Sequence, residues 1–171
     1  MQKIFQAESL AHNNKIKVEL LKAAYQEGRR NFSKSHLQNI CLHKAYLPEI
    51  DLCYSYLNRA VLSKANLERS FLSRAMLYGA NLKQARLYRS SLIETNLERA
   101  NLSNVILNHA DLNSANLRDA NLKHACLVWT NLRSANLKNA NLSNAKLKGA
   151  KFCRTIMPDG SIRNDNCFSS P

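Results

Sequence analysis

The residue types and motifs on which most active sites depend are scarce in this chain. Its 171 residues include four glycines, three prolines and one tryptophan. The sequence contains no glycine-rich phosphate loop, nucleophile-elbow serine or HExxH metal motif. No apolar run reaches the roughly 18 residues of a membrane-spanning helix, and Met1 to Glu8 lack the apolar segment of a secretory signal. These absences predict a cytoplasmic protein that is not an enzyme and holds no cofactor or metal.

Cysteine and histidine come close together twice, but neither place has the ligands of a metal site. Cys41 and His43 flank a leucine, and His124 and Cys126 flank an alanine. Zinc sites use three or four protein ligands, so we interpret both pairs as surface polar residues. The carboxylates are dispersed, and none is predicted to be buried as a general acid with a raised pKa would be.

The charge balance is strongly basic. The formal net charge is +13, and the segment from Arg30 to Met157 holds 19 Lys and Arg against 7 Asp and Glu. A basic surface favours acidic partners. An acidic protein is the preferred expectation, and nucleic acid or another polyanion is the alternative, because the basic residues form no continuous run.

What the chain has in abundance is a five-residue repeat. From Phe32 to Phe152 every fifth residue is Leu, with Phe at the two ends. The residue two positions before each of these centres is mostly Ala and, apart from Arg30, otherwise small or β-branched. Two apolar residues two positions apart point to the same side of an extended segment. If a turn follows within each repeat, the repeats form the sides of coils, and stacked coils bury a continuous core.

This repeat, Ala-[Asn/Asp]-Leu-x-x, resembles that of the pentapeptide-repeat family, and the likeness covers residues 30–157. The resemblance implies an all-β solenoid, a right-handed quadrilateral β-helix with the central Leu and the small residue inward. On that fold the repeats form about six coils, roughly 29 Å long at a strand spacing of ~4.8 Å. Arg30, Ile40, Ile50 and Ser55 in place of Ala predict a less regular N-terminal end of the solenoid, and Ile50 and Val105 predict bulged corners.

Residues 1–29 lie outside the repeat and are predicted to form an N-terminal α-helical cap. Apolar residues recur at helical spacing between Lys15 and Glu27: Val18, Leu21 and Tyr25, with Leu20 and Ala24 beside them. Gly28 is the predicted C-cap, and Asn13 or Asn14 the N-cap. Residues 4–11 suggest a shorter helix before it. Because a solenoid must cover its open ends, we expect the apolar stripe to pack on the first coil.

Residues 158–171 are predicted to form a turn and a tail. The turn is Pro158-Asp159-Gly160, and the run from Thr155 to Ser161 resembles the ending of cyanobacterial members of the family. Cys153 and Cys167 flank this turn. A disulfide between them would pin the tail, but in a reducing compartment we favour two free thiols.

Residues twenty positions apart are expected to stack on one side of the solenoid. One side gathers the only Trp with tyrosines, arginines and outward apolar residues, a composition typical of protein interfaces. The predicted partner-binding face consists of Tyr46, Arg69, Arg86, Tyr88, Arg89, Ile106, His109, Val128 and Trp129. The alternative is that these side chains stack only for stability. Columns of Asn, such as Asn81 and Asn101, are predicted to hydrogen-bond along the rod axis.

These features favour a non-catalytic scaffold for protein–protein interaction, with polyanion binding as the alternative. Some members of the resembled family mimic DNA and protect topoisomerases from quinolones. Those members are acidic dimers, so the net charge of +13 argues against that role here. The outward apolar residues Phe71, Met76 and Ile93 would permit a homodimer without requiring one.

Overall fold

The chain forms a helix, a solenoid of stacked coils and a short hairpin. The computed structural model describes residues 2–165 and residue 167. Helix α1 spans Gln2–Gln26, and strands β1 (Thr155–Ile156) and β2 (Ile162–Arg163) pair antiparallel at the other end. Between them lies the solenoid, a right-handed quadrilateral β-helix as predicted. Within the described residues, no helix has the length and apolarity needed to span a membrane.

Coils stack through parallel pairing between residues twenty positions apart, such as Asn31 with Asp51 and Asn136 with Ile156. From Phe32 to Leu137, the N–H of each central residue donates to a carbonyl of the next coil, as Leu97 does to Asn116 at 2.7 Å. The predicted stacking of such residues on one side of the rod is therefore confirmed.

The core contains the central leucines and the small residues. Leu97, for example, is fully buried. Ile50 and Val105 are also fully buried, and the coil-to-coil bonds continue through them: their carbonyls accept from Phe71 and Cys126, both at 2.9 Å. The expected bulge at Val105 is therefore wrong. At Ile50 the ladder also continues, but the backbone bonds described include none from the Ile50 N–H to the carbonyl of Leu47. The first coil has the same turns and bridges as the others but is less regular in its turn bonds, since the N–H of Ser35 donates to the Ser55 hydroxyl at 3.1 Å and not to Phe32. The residues above and below Val105 in its column are both Ala, which leaves room for the branched side chain.

Buried hydroxyl groups inside the rod donate to backbone carbonyls of the same turn or of the preceding coil. The hydroxyl of Thr95 donates to the carbonyl of Leu72 at 2.8 Å, and that of Ser70 donates to the carbonyl of Leu67 at 2.6 Å. Among the residues whose burial is described, the buried polar ones are all Ser or Thr. In the described part of the solenoid, no Asp, Glu, His or Lys side chain is buried where it could carry out acid–base chemistry.

Each side of a coil ends in a turn that requires a left-handed backbone. In one such turn, the N–H of Ala60 donates to the carbonyl of Leu57 at 3.0 Å. The second residue after each centre has a positive φ, 57° at Arg59 and 60° at Trp129. A positive φ at the third position is the mark of a type II turn, where glycine is preferred. Most repeats place a larger residue there, which costs roughly 1–2 kcal/mol each.

Where Asn or Asp precedes a central residue, its side chain caps a backbone N–H within its own repeat. The Oδ1 of Asn101 accepts from the N–H of Ser103 at 3.1 Å, and that of Asn66 accepts from Glu68 at 3.0 Å. This N–H is the one that neither the ladder nor the turn uses. The predicted bonds along the rod axis also occur, for example from Asn131 to Asp111 at 2.9 Å, but the cap within the repeat recurs more widely.

Helix α1 is continuous, where the sequence suggested two helices. Asn13 and Asn14 lie inside it, so the N-cap prediction is wrong: the helix begins at Gln2, eleven residues before Asn13. The C-cap prediction is confirmed by a positive φ of 94° at Gly28. The N–H of Gly28 donates to Tyr25 at 3.1 Å, and that of Arg29 donates to Ala24 at 3.0 Å. These two bonds form a Schellman motif.

The apolar stripe of α1 closes the N-terminal end of the rod, as predicted. Val18, Leu21 and Tyr25 are buried in the same cluster as the first coil, whereas Leu20 is 65% exposed and does not belong to the stripe. The Tyr25 hydroxyl donates to the carbonyl of Pro48 at 2.7 Å. This hydrogen bond ties the helix to the first coil.

Cys153 and Cys167 are joined by a disulfide, with their Cα atoms 4.7 Å apart. The expectation of two free thiols is therefore wrong. The hairpin explains the pairing because it folds the tail back onto the last coil, where Asn164 Oδ1 accepts from the N–H of Arg154 at 2.7 Å. The guanidinium of Arg163 also lies over the Phe152 ring, 3.9 Å from its centroid.

We expect Leu97→Ala to lower the free energy of unfolding by ~2–5 kcal/mol because it leaves a cavity in a closed layer. Leu142→Ala is the matched control, since Leu142 is the same residue type at the same repeat position but is only half-buried. Its cost should be clearly smaller. Urea denaturation followed by circular dichroism measures both, and equal losses would contradict the burial argument.

We expect Asn101→Ala to destabilise the rod by about 1 kcal/mol, since it leaves the N–H of the buried Ser103 without its acceptor. Asn101→Asp keeps an acceptor at that position, as Asp111 does for Asn113 at 2.9 Å. Chemical denaturation should therefore show Asn101→Asp closer to the parent chain. If both variants unfold alike, the cap contributes nothing.

Candidate partner-binding face

All nine predicted residues lie on one side of the rod, which we call the tryptophan face. Its inward centres are Leu47, Leu67, Leu87, Leu107, Leu127 and Leu147. Each predicted residue is next to one of these centres or two positions after it. The face runs along the rod from Tyr46 in the first coil to Trp129 in the fifth, a rise of about 19 Å at ~4.8 Å per coil. Among its exposed large apolar and aromatic residues, Tyr46 is 70% and Trp129 52% exposed.

Two acidic residues of this face are neutralised by its arginines. Glu68 Oε1 accepts from Arg86 Nε at 2.8 Å and lies 2.7 Å from Nη2. Glu49 Oε1 lies 3.7 Å from Arg69 Nη1. Exposed pairs of this kind contribute little stability. Because each pair cancels its own charge, the net charge of the face depends on its remaining cations.

Arg89, Lys146 and Lys148 are those cations. In the part of the chain that the structure describes, none of the three has a carboxylate within ion-pair distance. The two lysines belong to the last coil of the face and were not among the predicted residues. They follow Cys126 and Val128 by twenty positions, so the same column rule would have found them.

Aromatic groups stack across successive coils in the middle of the face. The Tyr88 ring meets the His109 ring edge to face, with centroids 5.7 Å apart. The guanidinium of Arg89 lies 5.2 Å from the centroid of Tyr88. Such pairs restrict side-chain freedom before a partner arrives, which lowers the entropic cost of binding.

Trp129 lies directly over Gly149 of the next coil. A Cβ atom built on Gly149 would come within 2.4 Å of Trp129 Cε3, closer than atoms in contact can approach. The glycine therefore makes the room in which the indole lies against the backbone. Because Trp129 remains half-exposed, its other surface is presented to solvent in a set orientation. The register predicted the position of Trp129 but not its support.

The face continues at its N-terminal end into a hollow of about 480 Å³ beside α1. The residues lining it are Tyr25, Arg30, Tyr46, Pro48, Glu49, Glu68, Arg69 and Tyr88. Arg30 is held over the Tyr25 ring, 4.0 Å from its centroid, and donates to the Tyr25 carbonyl at 2.9 Å. Tyr25 belongs to α1, and Arg30 occupies the inward small position of the first repeat yet is exposed, so sequence columns could not assign either residue to the face.

The cysteines and histidines outside this face do not assemble a reactive centre. The described residues contain no group of three or more His, Cys, Asp or Glu that could hold a metal. His43 Nδ1 bonds to the Ser63 hydroxyl at 2.7 Å. Burial, with a further contribution from the neighbouring Asp51, raises the pKa of the Cys53 thiol to about 11. Near neutral pH this thiol is protonated and therefore a weak nucleophile.

The four-sided coil, the inward Leu and the outward display face define a repeat scaffold of the β-helix class. The sequence model of pentapeptide repeats matches residues 55–92, 95–133 and 127–157. The chain belongs to the pentapeptide repeat family.

Solved structures of other proteins share this architecture. A pentapeptide repeat protein, Rfr23 from the cyanobacterium Cyanothece 51142, is 31% identical over 86% of this chain and 99% of its own, with a TM-score of 0.56. A trypsin-treated form of QnrB1, a plasmid-mediated fluoroquinolone resistance protein, is 16% identical over 71% of this chain and 62% of its own, with a TM-score of 0.67. At that identity the second likeness concerns the fold alone. No curated protein sequence matches the chain.

We expect Gly149→Ala to displace the indole of Trp129, because the new methyl group would occupy its place. Trp129 is the only tryptophan, so its fluorescence emission and anisotropy report the change without interference. Gly79→Ala is the control: Gly79 has a similar positive φ, 63° against 70°, but its added Cβ would meet only Arg59 Cγ at 3.7 Å.

Both glycine variants should lose a similar ~1–2 kcal/mol to backbone strain. Only Gly149→Ala should alter the tryptophan signal of the folded protein. Unchanged emission and anisotropy in Gly149→Ala would show that Trp129 does not depend on the glycine.

Proposed function

We propose that this chain is a non-catalytic scaffold that binds another protein through the tryptophan face. The observation that carries the proposal is the half-exposed indole of Trp129, held against Gly149 in line with Arg89 and His109. A large aromatic side chain oriented in advance is the kind of anchor that dominates binding energy at protein interfaces. The rod supplies the rigidity, since every coil is hydrogen-bonded to its neighbours.

The charges of the face favour an acidic partner. Glu49 and Glu68 are already occupied by Arg69 and Arg86. Arg89 and the two lysines beyond Trp129 are then available to acidic side chains of the partner. Complementary charge speeds association and determines orientation more than it adds affinity. An acidic segment with an apolar residue for the indole would therefore suit this face.

The fluoroquinolone resistance of QnrB1 is not part of the proposal. That likeness rests on 16% identity and therefore concerns the fold. A protein that imitates DNA must present negative charge, whereas this chain carries a formal net charge of +13. The basic surface suits binding to an acidic molecule, and not imitation of one.

Affinity capture from a lysate of the source organism, followed by mass spectrometry, tests the proposal. We expect a specific protein to be captured by the parent chain and lost with Trp129→Ala and with Arg89→Ala. Tyr54→Ala matches the first change, because Tyr54 is an aromatic residue on another side with the same backbone, φ 59° against 60°, and similar exposure, 47% against 52%. Arg59→Ala matches the second, with φ 57° against 55°.

The captured protein should then bind the purified parent chain directly, more weakly as salt increases. The proposal fails if the variants on the tryptophan face and their matched controls bind that protein alike. It also fails if the parent chain captures nothing that the Trp129→Ala variant does not.

A further inference from the structure

A second side of the rod has a composition unlike that of the tryptophan face. We call it the lysine face; its inward centres are Leu42, Leu62, Leu82, Leu102, Leu122 and Leu142. Four exposed lysines project from it: Lys44, Lys64, Lys83 and Lys123. The remaining outward residues of these repeats are mainly Asn and Ser, with His43 and His124. None of the outward residues is acidic.

The other three sides all mix both charges. The tryptophan face carries Glu49 and Glu68, each paired with an arginine. The side centred on Leu52 and Leu72 carries Glu94, whose carboxylate accepts two bonds from Arg74, at 2.8 and 3.2 Å. The side centred on Leu57 and Leu77 carries Glu98 and Asp119. Only on the lysine face are the cations of the repeats without an acidic residue on the same side.

Most of the charged residues that border the lysine face are also basic. One adjoining corner column includes Arg59 and Arg99, with Asp119 as its one acidic residue, and Asp119 Oδ1 accepts from the Asn139 amide at 3.0 Å. The adjoining column of the tryptophan face includes Arg86 and Lys146 and no acidic residue.

Helix α1 brings both charges to the N-terminal end. Lys22 lines a hollow together with His43 and Lys44. Glu19 is an exposed residue of α1, and Glu27 is exposed directly after its C-terminal end. Neither residue lines that hollow.

We propose that the lysine face binds the phosphate backbone of duplex DNA without reading its sequence. Lysine, serine and asparagine side chains are common donors to phosphate oxygens, and such contacts need no apolar anchor. The face has no Phe, Tyr or Trp among its outward residues. Single strands are bound largely through stacking on aromatic rings, and protein interfaces depend on Trp, Tyr and Arg. The lysine face therefore suits a phosphate duplex better than either.

The geometry limits the strength of this interaction. The four lysines span coils one to five, about 19 Å at ~4.8 Å per coil, which corresponds to roughly 6 base pairs of duplex at ~3.4 Å each. At most about four phosphates are then neutralised, so the logarithm of the binding constant should fall with the logarithm of salt with a slope no steeper than about −3.6 from these contacts.

Fluorescence anisotropy with a labelled, mixed-sequence DNA duplex at several low salt concentrations tests the proposal. The test variant changes all four lysines to Gln. This residue already occurs on the same face as Gln84, with the same left-handed backbone as Lys64, φ 60° against 59°. We expect affinity to fall at least about tenfold and the salt slope to become shallower.

The matched control removes four cations from other sides: Lys34, Arg118, Lys138 and Lys151, each changed to Gln. All four are exposed, and the control has the same net charge as the test variant. If the position of the charges matters, the control should stay within about threefold of the parent chain. Trp129→Ala should leave DNA binding unchanged, so failure of this proposal and failure of the protein-binding proposal are distinguishable.

Several outcomes would overturn the assignment. Equal losses in the two charge variants would mean that the whole basic surface, and not this face, attracts DNA. Tighter binding to an RNA duplex or to polyglutamate, lost with the test variant, would assign the face to that ligand. Absence of DNA binding by the parent chain at low salt would also overturn it.

Discussion

The structure depends on closing each coil after twenty residues, which requires a turn at every fifth residue. Nearly all of these turns are closed by the bond from a small residue to the preceding central residue, as from Ala60 to Leu57. This bond holds the residue directly before the small one, here Arg59, in the left-handed region of the backbone. With that geometry, every coil returns to the same position one strand spacing further along. The vertical ladder, the inward Leu column and the flat outward faces all follow from this repeat.

Much of the fold could be predicted because the inward positions are chemically restricted. From Ser35 onward, only small residues or well-fitting branched ones occupy the repeat position of Val105, and the centres such as Leu97 are almost always Leu. The left-handed turns could not be predicted in this way, because the positions that need a positive φ are occupied by Arg, Lys, His and Trp more often than by Gly. Because many different side chains occupy this repeat position, the sequence shows no preference for glycine there.

The tail and the helix show a different limit. The disulfide between Cys153 and Cys167 depends on the hairpin that folds the tail back, and the periodic pattern has already ended there. Asn13 and Asn14, in the middle of α1, have the composition of an N-cap, but local preference does not stop a helix that can continue on both sides. In both places the decisive contacts lie outside the repeat.

For the two candidate faces, too, the sequence predicts one part of the arrangement and leaves another part open. Counting by twenty places Trp129, Arg89 and Tyr88 on one side. It also places the four lysines of the lysine face on a side without any acidic residue of the repeats. It does not reveal which cations are already paired, as Arg86 is with Glu68, nor that the indole lies on Gly149. The position of a residue on a face was predictable, whereas its availability to a partner depends on side-chain contacts between coils.

The half-buried Leu142 and Leu147 of the last coil give the rod a direction in which it comes apart. At the other end, α1 covers the first coil and Leu42 is fully buried. The last coil gains less from burial than any closed layer does, so its opening is the least costly partial unfolding. Because each coil contacts only its neighbours, opening spreads coil by coil from this end towards the helix. Trp129 is one coil away from that boundary, whereas Tyr46 is beside the helical cap, so the two ends of the tryptophan face differ in how long they remain ordered.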